Sequence, residues 1–391
     1  MIIIGSKSDL FYGNAIKKQL IDWKLKMTTT ALPIHDYALL DDAECDLRIQ
    51  AAKAKLGKRC IVLGHHYQRD EVFKHADIFG DSLKLSREAA QSEAEYIVFC
   101  GVHFMAEVAD ILSRPEQIAI LPDLAAGCSM ADMANKVKVQ QCWDELAKII
   151  DVENTVTPVT YINSAADLKA FCGQHDGIVC TSSNAEKILN WSFSKREKVL
   201  FFPDQHLGRN TGYRMGIPLE QMVTWDFNKP QGGLTEQQIR DAKIILWKGY
   251  CSVHQAFQPE QIDAFLAKHP ETIVVSHPEA CFEVCEKSDY IGSTEMILKI
   301  VREGEPNTRW LVATELNLVN RLNQECQAQG KSVHFMAPTL SMCSTMFRTD
   351  PQHLAWVLEN LAAGHVVNQV SVAAEQAALA KKALDNMLLA S

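Results

Sequence analysis

The residues with the most specific chemical signal are three cysteines that lie far apart in the chain, Cys128, Cys251 and Cys343. Each closes a set of three loop motifs. In each set a polar or aromatic group comes first, a small hydroxyl residue follows after roughly 16 to 21 residues, and the cysteine follows roughly 46 to 69 residues later. The nine motifs are, in chain order, His65-His66-Tyr67, Gly80-Asp81-Ser82, Gly127-Cys128, Tyr161-Ile162-Asn163, Thr181-Ser182-Ser183-Asn184, Gly249-Tyr250-Cys251, His277-Pro278-Glu279, Gly292-Ser293-Thr294 and Met342-Cys343. The recurrence predicts three similar units that each deliver one thiolate to a shared site.

Three thiolates suit a metal centre that keeps one position open for a reactant. A [4Fe-4S] cluster normally has one cysteine per iron, so three cysteines leave one iron exposed, which favours Lewis-acid chemistry over electron transfer. A zinc ion held by three cysteines and a histidine or water is the alternative. Structural zinc prefers closely spaced ligand pairs, which these three cysteines do not form. The spacing therefore favours the cluster and leaves zinc open.

The chain contains twelve cysteines, so other residues compete as ligands. Cys100 and Cys180 end predicted strands and are the main rivals. Cys281 and Cys285 share one face if their segment is helical, where a redox pair or plain packing is expected. The remaining cysteines fall within predicted strands or helices and are interpreted as core residues: Cys45, Cys60, Cys142, Cys172 and Cys326.

The same loops carry groups that transfer protons or bind anions. The proton-transfer and polar groups are His65, Tyr67, Tyr161, Asn163, His254, His277 and Glu279. Burial tunes such side chains for general acid–base catalysis near neutral pH. The hydroxyl residues are Ser82, Ser182, Ser293 and Thr294. At helix N-termini they would hold carboxylates or a phosphate, although a serine in that position is more often only a cap.

Short apolar runs that alternate with amphipathic stretches must position these loops. The predicted strands are 60–64, 96–100, 118–121, 177–180, 199–202, 244–247, 273–275, 290–292, 310–313 and 332–335. Helical periodicity lies between them, as at 83–94 and 105–112. This alternation predicts parallel α/β sheets, whose ligand crevices lie at the carboxyl ends of the strands. Three such units meeting about a pseudo-threefold axis would bring the three cysteines together.

Composition excludes several other classes of protein. The chain has 391 residues, of which 47% are hydrophobic and 22% charged, as in ordinary globular proteins. No apolar run is long enough to cross a bilayer. The formal net charge of -9 argues against binding to a nucleic-acid backbone. The first thirty residues do not have the pattern of a signal or transit peptide, so a cytoplasmic location is expected.

A longer series of motifs runs from about Leu32 to the C-terminal helix. In the first half these are Gly64-His65-His66-Tyr67-Gln68, Gly80-Asp81-Ser82-Leu83, the stretch 99–107 and the stretch 126–133. In the second half they are Thr160-Tyr161-Ile162-Asn163-Ser164, the stretch 203–209, the stretch 247–254, His277-Pro278-Glu279 and Gly292-Ser293-Thr294. With these motifs in this order, the chain closely resembles the quinolinate synthase family.

The resemblance implies an iron–sulfur-dependent transferase of de novo NAD biosynthesis. Such an enzyme condenses iminoaspartate with dihydroxyacetone phosphate to quinolinate and releases phosphate and water. The implied ligands of one [4Fe-4S] cluster per chain are Cys128, Cys251 and Cys343. The implied catalytic residues are Tyr67, Tyr161, His254 and Glu279. The implied substrate-binding residues are His65, Ser82, Met105, Asn163, Ser182, His277 and Thr294. A transient contact with the oxidase or dehydrogenase that produces iminoaspartate is also expected.

The implied architecture is three similar α/β three-layer sandwich domains around a pseudo-threefold axis, with the active site and the cluster at their junction. The predicted boundaries are an N-terminal extension at 1–31, domains at 32–135, 136–256 and 257–343, and C-terminal helices at 344–391 that pack back on the first domain. The segment 210–241 is expected to be a surface insertion or a lid, and the surroundings of Cys343 are the least distinctive of the three ligand motifs.

Two alternative functions would also use a metal cluster. An aconitase-like hydro-lyase would also use a three-cysteine cluster with an open iron. A cluster-carrying redox sensor would use Cys281 and Cys285 as its responsive pair. The crowded set of histidine, tyrosine and glutamate side chains argues against the sensor.

Overall fold

The computed structural model describes residues 30–337 and 341–391, which form three mostly parallel β-sheets flanked by helices. The predicted extension at 1–31 lies outside the described residues, apart from its last two positions. The α/β class with parallel sheets is confirmed, and all ten strands predicted from apolar runs are present to within one residue at each end. Strands that are covered on both faces read as continuous apolar runs, which is why the sequence located them.

The first sheet has five strands in the order β14-β4-β3-β1-β2, and only β14 is antiparallel. Its strands are β1 (Cys60–His65), β2 (Ile78–Gly80), β3 (Tyr96–Cys100), β4 (Ile118–Ile120) and β14 (Gln369–Val370). The helices of this part are α1 (Asp42–Leu56), α2 (Asp70–Phe73), α3 (Ser82–Gln91) and α4 (His103–Leu112). Alternate residues of β3 face two different hydrophobic clusters, since Val98 packs with α1 whereas Ile97 packs toward the second sheet.

The second sheet is entirely parallel, in the order β6-β5-β7-β9-β8. Its strands are β5 (Val156–Tyr161), β6 (Ile178–Cys180), β7 (Lys198–Phe202), β8 (Met222–Trp225) and β9 (Ile244–Trp247). The helices are α5 (Ser129–Asp132), α6 (Lys136–Ala147), α7 (Val152–Thr155), α8 (Ala166–Gln174), α9 (Ala185–Lys195), α10 (Gln205–Arg214) and α11 (Glu236–Asp241). The segment 210–241 was therefore misread as an insertion or lid. It completes α10 and supplies the edge strand β8 and the helix α11.

The third sheet is also parallel, in the order β11-β10-β12-β13. Its strands are β10 (Ile273–Ser276), β11 (Tyr290–Ile291), β12 (Arg309–Ala313) and β13 (Ser332–Phe335). The helices are α12 (Pro259–Leu266), α13 (Phe282–Glu286), α14 (Thr294–Glu303) and α15 (Leu316–Cys326). The shorter 3₁₀ turns of the chain are Ile34–Asp36, Gly57–Arg59, Leu219–Gln221, Pro230–Gly233, His254–Ala256, Gln327–Gln329 and Met346–Arg348.

The three sheets share one strand order at their centres. In each, the first strand in the chain lies between the second strand, at the edge, and the third. Parallel sheets of this order bind ligands at the carboxyl ends of the strands, near the point where the order reverses. The loops after β1, β5 and β10 therefore occupy equivalent positions, as the recurring motifs predicted.

The last two helices pack against different parts of the structure. Helix α16 (Pro351–Ala362) packs against α1, as expected for a return to the first domain. Helix α17 (Ala374–Ala390) packs mainly against α8 and β6 of the second sheet. The expectation that both helices pack on the first domain is therefore wrong for α17. Its buried residues Leu384 and Met387 join the cluster that extends between the first two sheets.

A substitution in helix α16 tests the core of the first sheet. Leu358 lies on α16 and is fully buried against α1. Leu358→Ala should therefore lower the free energy of unfolding by about 3 kcal/mol, because apolar burial is lost and a cavity is left. Leu389→Ala is the matched control, because Leu389 is 87% exposed. Urea denaturation followed by circular dichroism measures both. Equal unfolding midpoints for the two variants would contradict this packing.

No helix among residues 30–337 and 341–391 combines the length and the apolar character needed to span a membrane.

Candidate active site

The carboxyl ends of the strands in all three sheets surround one cavity with about 640 Å³ of empty space. All the residues that the resemblance implies as catalytic, substrate-binding or cluster-ligating, except His254, line it: His65, Tyr67, Ser82, Met105, Cys128, Tyr161, Asn163, Ser182, Cys251, His277, Glu279, Thr294 and Cys343. His254 lies directly behind the wall, where it contacts Glu279. The structure thus brings the whole predicted set together, while the role of each residue stays a prediction.

Local structure explains how the loops present these groups. His65 and Tyr161 are the last residues of β1 and β5, so their side chains leave the sheets at the carboxyl edge. Ser82 and Thr294 are the first residues of α3 and α14. Their helices are capped instead by the preceding residues, Asp81 and Ser293, so the hydroxyls of Ser82 and Thr294 are not used as caps.

A chain of hydrogen bonds links one wall of the cavity to the opposite wall. Tyr67 Oη contacts Thr314 Oγ1 at 2.9 Å, and Thr314 Oγ1 contacts His254 Nε2 at 3.3 Å. His254 Nδ1 contacts Glu279 Oε2 at 2.9 Å. Tyr161 Oη donates to Glu279 Oε1 at 2.6 Å. The chain joins side chains from all three sheets, so it exists only when the sheets are docked.

Glu279 is the charged centre of this chain. Burial alone would raise the pKa of its carboxyl group, but the nearby His254 and His277 and the hydrogen bonds from His254 and Tyr161 outweigh burial. The pKa of Glu279 therefore lies well below its usual range, and the group is an anion at neutral pH. The same contacts raise the pKa of Tyr161 well above its usual value, through burial and the negative charge of Glu279. Tyr161 thus stays a neutral donor.

The imidazoles of His65 and His277 are neutral at physiological pH. Burial lowers the pKa of His65 to about 3 and that of His277 to about 3. The ring of His277 stacks on the ring of His254, with centroids 4.5 Å apart. Neutral rings in an enclosed cavity can donate through one nitrogen and accept through the other, which suits them to orient a polar reactant.

The three predicted ligand thiols face the same cavity and affect one another electrostatically. The negative charge that Cys343 and Cys128 would carry contributes to raising the pKa of Cys251, after burial and Glu279. Burial is the main reason that the pKa of Cys128 is raised to about 12. A metal centre here must displace the thiol protons. All twelve cysteines lie within the described residues and all are free.

A smaller potential metal site overlaps the same region. Ligand atoms of Cys251, His254 and Glu279 lie within 4.8 Å of one another. His254 Nδ1 and Glu279 Oε2 are already joined by a hydrogen bond, so a single metal ion held by either of these two atoms would have to break that bond. This group contains one cysteine, so it differs from the zinc site of three cysteines considered from the sequence, and metal analysis of ligand variants can distinguish the two.

Polar contacts between the sheets close the cavity. Ser183 Oγ donates to Asp81 Oδ2, which ties the second sheet to the first. His66 Nε2 contacts Glu295 Oε1 at 2.9 Å, which ties the first sheet to the third. Together with the bond from Tyr161 to Glu279, each pair of sheets has at least one such contact at the site.

Sequence reasoning missed three buried residues of the loops that follow the third strand of a sheet. Thr314 follows β12 and is the middle of the hydrogen-bond chain. Glu315 follows it, caps α15 and lies 3.5 Å from the backbone nitrogen of Cys343. Asp204 follows β7 and caps α10. Their position after a strand was a usable signal, since the other catalytic candidates were found in that way.

Thr314 gives a direct test of the hydrogen-bond chain. Thr314→Val keeps the shape of the side chain but removes the hydroxyl that joins Tyr67 to His254. We expect kcat to fall by about 100-fold, in the range of a lost general acid–base contribution, with an unchanged circular dichroism spectrum. Thr314→Ser keeps the hydroxyl and should retain most of the activity. If the valine and serine variants have equal kcat, protons do not pass through this residue.

Three parallel sheets whose loops surround one cavity with three thiols and a buried acid–base chain define an α/β enzyme with its active site between sheets. The family model of the quinolinate synthetase A protein matches residues 47–389. A quinolinate synthase of Acidobacterium capsulatum is 52% identical over 358 residues, which cover 92% of this chain and 96% of that protein. Those of Herpetosiphon aurantiacus and Streptomyces coelicolor are each 52% identical, over 355 and 349 residues, covering 90% and 89% of this chain and 94% and 88% of those proteins. The chain belongs to the quinolinate synthase family.

Proposed function

We propose that this chain condenses iminoaspartate with dihydroxyacetone phosphate to quinolinate, with release of phosphate and water, in de novo NAD biosynthesis. Family membership supports the reaction. The observation that carries the proposal is the one cavity at which three thiols and the chain from Tyr67 to Glu279 meet. A condensation that forms two new bonds to carbon atoms and loses water requires several proton transfers. The side chains of this hydrogen-bond chain supply the groups for them.

The donor set fits a [4Fe-4S] cluster held by Cys128, Cys251 and Cys343. The three thiols come from three separate loops, they line one cavity, and the described residues around them add no fourth cysteine to its lining. A cluster with three cysteine ligands supplies Lewis-acid chemistry at its remaining iron. The residues of the chain itself supply binding and proton transfer.

The geometry suggests how protons move. Because Glu279 is an anion, His254 in its neutral form donates from Nδ1 and leaves Nε2 as an acceptor. Thr314 then donates to Nε2 and accepts from Tyr67. A proton at Tyr67 Oη can therefore be passed to His254 and returned, so we assign proton transfer at the reactants to Tyr67. Tyr161 and Glu279 hold His254 in the required tautomer.

The anionic groups of the two substrates require separate anchors. Ser82 and Thr294 begin helices α3 and α14, and Ser182 precedes α9, so all three hydroxyls lie beside helix N-termini that favour negative charge. We assign Ser82, Ser182 and Thr294 to the carboxylates and the phosphate. Met105 and Asn163 then shape the pocket between these anchors, and neutral His65 and His277 orient polar substrate atoms.

The finer architecture belongs to the same proposal. Three similar α/β domains, at 32–135, 136–256 and 257–343, would be related by a pseudo-threefold axis through the cavity. The common strand order of the three sheets supports this relation, as does the recurrence of a proposed ligand cysteine after β4, β9 and β13, each of which pairs with the third strand of its sheet. We also propose a cytoplasmic enzyme that receives unstable iminoaspartate by transient contact with the oxidase or dehydrogenase that makes it.

One experiment tests the reaction and the cofactor together. Protein purified without oxygen should be brown, bind about four irons per chain and form quinolinate from iminoaspartate and dihydroxyacetone phosphate. Formation of quinolinate by a colourless, zinc-loaded protein would refute the cluster. Hydration or dehydration of a hydroxy acid, without condensation, would instead favour the hydro-lyase.

A further inference from the structure

A second cavity lies beside the active site, between the second and third sheets. It has about 1430 Å³ of empty space, and Ser182 lines both cavities. At another point consecutive residues line the two cavities: Pro278 lines the second and Glu279 lines the first. The two cavities therefore share a wall, and we call the larger one the outer chamber.

The outer chamber is basic in an acidic protein. Lys187, Arg214 and Lys299 line it, and within the described part of the chain none of them forms an ion pair with a carboxylate. Arg214 donates only to the backbone oxygen of Ile291, at 3.3 Å. We call these three residues the basic groove. The chain as a whole has a formal net charge of -9, so this concentration of unpaired cations is a local reversal of sign.

Two carboxylates in the chamber offset the three cations only in part. Glu186 and Glu295 line it, and His66 Nε2 contacts Glu295 Oε1 at 2.9 Å, so the cations outnumber the carboxylates by one. The first turns of α9 and α14 also line the chamber, and the dipoles of these helices add positive potential at their N-termini. Clefts lined by one sign of charge raise the local concentration of oppositely charged ligands and their association rates.

We propose that the basic groove captures the phosphate-bearing substrate and guides it past Ser182 into the active site. The inference rests on the proposed function for the identity of the substrate. The groove would act on association alone, because Lys187 and Lys299 line only the outer chamber and not the cavity that holds the acid–base chain. Its contribution should therefore weaken as salt screens the charges.

The test compares two double variants that remove the same charge. Lys187→Gln/Lys299→Gln removes two cations from the groove, whereas Lys58→Gln/Lys268→Gln removes two exposed lysines that precede the amino ends of β1 and β10. At low ionic strength the groove variant should lose about tenfold in kcat/KM for dihydroxyacetone phosphate, with kcat and iron content unchanged. Its kcat/KM should also depend less on salt than that of the wild type. Equal kinetics in the two double variants would overturn the proposal.

A measurement without turnover separates this inference from the proposed function. Inorganic phosphate is titrated into each holoprotein and its ³¹P linewidth is followed. Binding should be at least fivefold weaker in the groove variant than in the control variant. Failure of the wild type to form quinolinate would remove the proposed function but not this binding difference, whereas equal phosphate binding in both variants would overturn the groove.

Discussion

Glu279→Gln should abolish turnover while the protein keeps its metal. Glutamine has nearly the same shape, but its amide cannot accept hydrogen bonds from both Tyr161 and His254, and it does not carry the charge that holds the His254 tautomer. When one side chain of a buried hydrogen-bond chain loses a partner, more than one hydrogen bond is weakened, because each side chain is oriented by its neighbour. We expect kcat to fall by about 1,000-fold or more, within the range for loss of a general acid–base system.

The measurement is quinolinate formation under anaerobic conditions, together with iron analysis and the visible spectrum of each protein. Glu286→Gln is the matched control, because Glu286 is exposed on the neighbouring helix α13. The control should have wild-type activity. A Glu279→Gln protein with normal iron and near-normal kcat would show that the carboxylate does not serve the reaction. A redox sensor would also keep its cluster response after this substitution, so the loss of turnover separates the synthase from the sensor.

Removal of any one of the three cavity cysteines should cost the protein most of its iron. Cys128→Ala, Cys251→Ala and Cys343→Ala each remove one of the three proposed cluster ligands, whereas Cys281→Ala and Cys285→Ala should keep full iron. Neither of these control cysteines lines the cavity. Cys281 precedes helix α13, and Cys285 Sγ lies 3.2 Å from Asn210 Nδ2.

The pattern of metal loss identifies the kind of site. A single ion at Cys251, His254 and Glu279 predicts that Cys251→Ala and His254→Ala lose metal while Cys128→Ala and Cys343→Ala keep it. A cluster on three thiols predicts equal losses in all three cysteine variants and retention in His254→Ala. Iron, zinc and sulfide analysis of anaerobic protein decides between them. Full iron in any one of the three cysteine variants would remove that residue from the site.

The elements that the sequence located are those whose signal is local. Runs such as Tyr96–Cys100 and Ile244–Trp247 are buried on both faces, so their apolar character alone marks them. Strand β5 was not among the predicted runs, because Pro158 interrupts its apolar pattern and a proline usually argues against a central strand. Strand β8 was missed because two of its four residues are only partly buried.

The other predictions failed because they depend on contacts between residues that are far apart in the sequence. Helix α17 was assigned to the wrong neighbour because its buried alanines and leucines fit many helix surfaces, and the helix periodicity does not state which. Thr314 and Asp204 were overlooked because a lone threonine or aspartate after a strand has no distinctive spacing. Their importance comes from partners that lie far away in sequence, such as Tyr67 for Thr314.

The sequence by itself determined the parallel α/β class, the family, and the residue types that reach the carboxyl ends of the strands. These follow from local apolar patterns and from the fixed position of loops after strands. Only the tertiary structure decided that Tyr67, Thr314, His254, Glu279 and Tyr161 form one connected chain, and that a basic groove opens beside them. The physical reason is that hydrogen bonds and summed charge depend on distances between sheets, which the docking of three separate cores sets and no local pattern encodes.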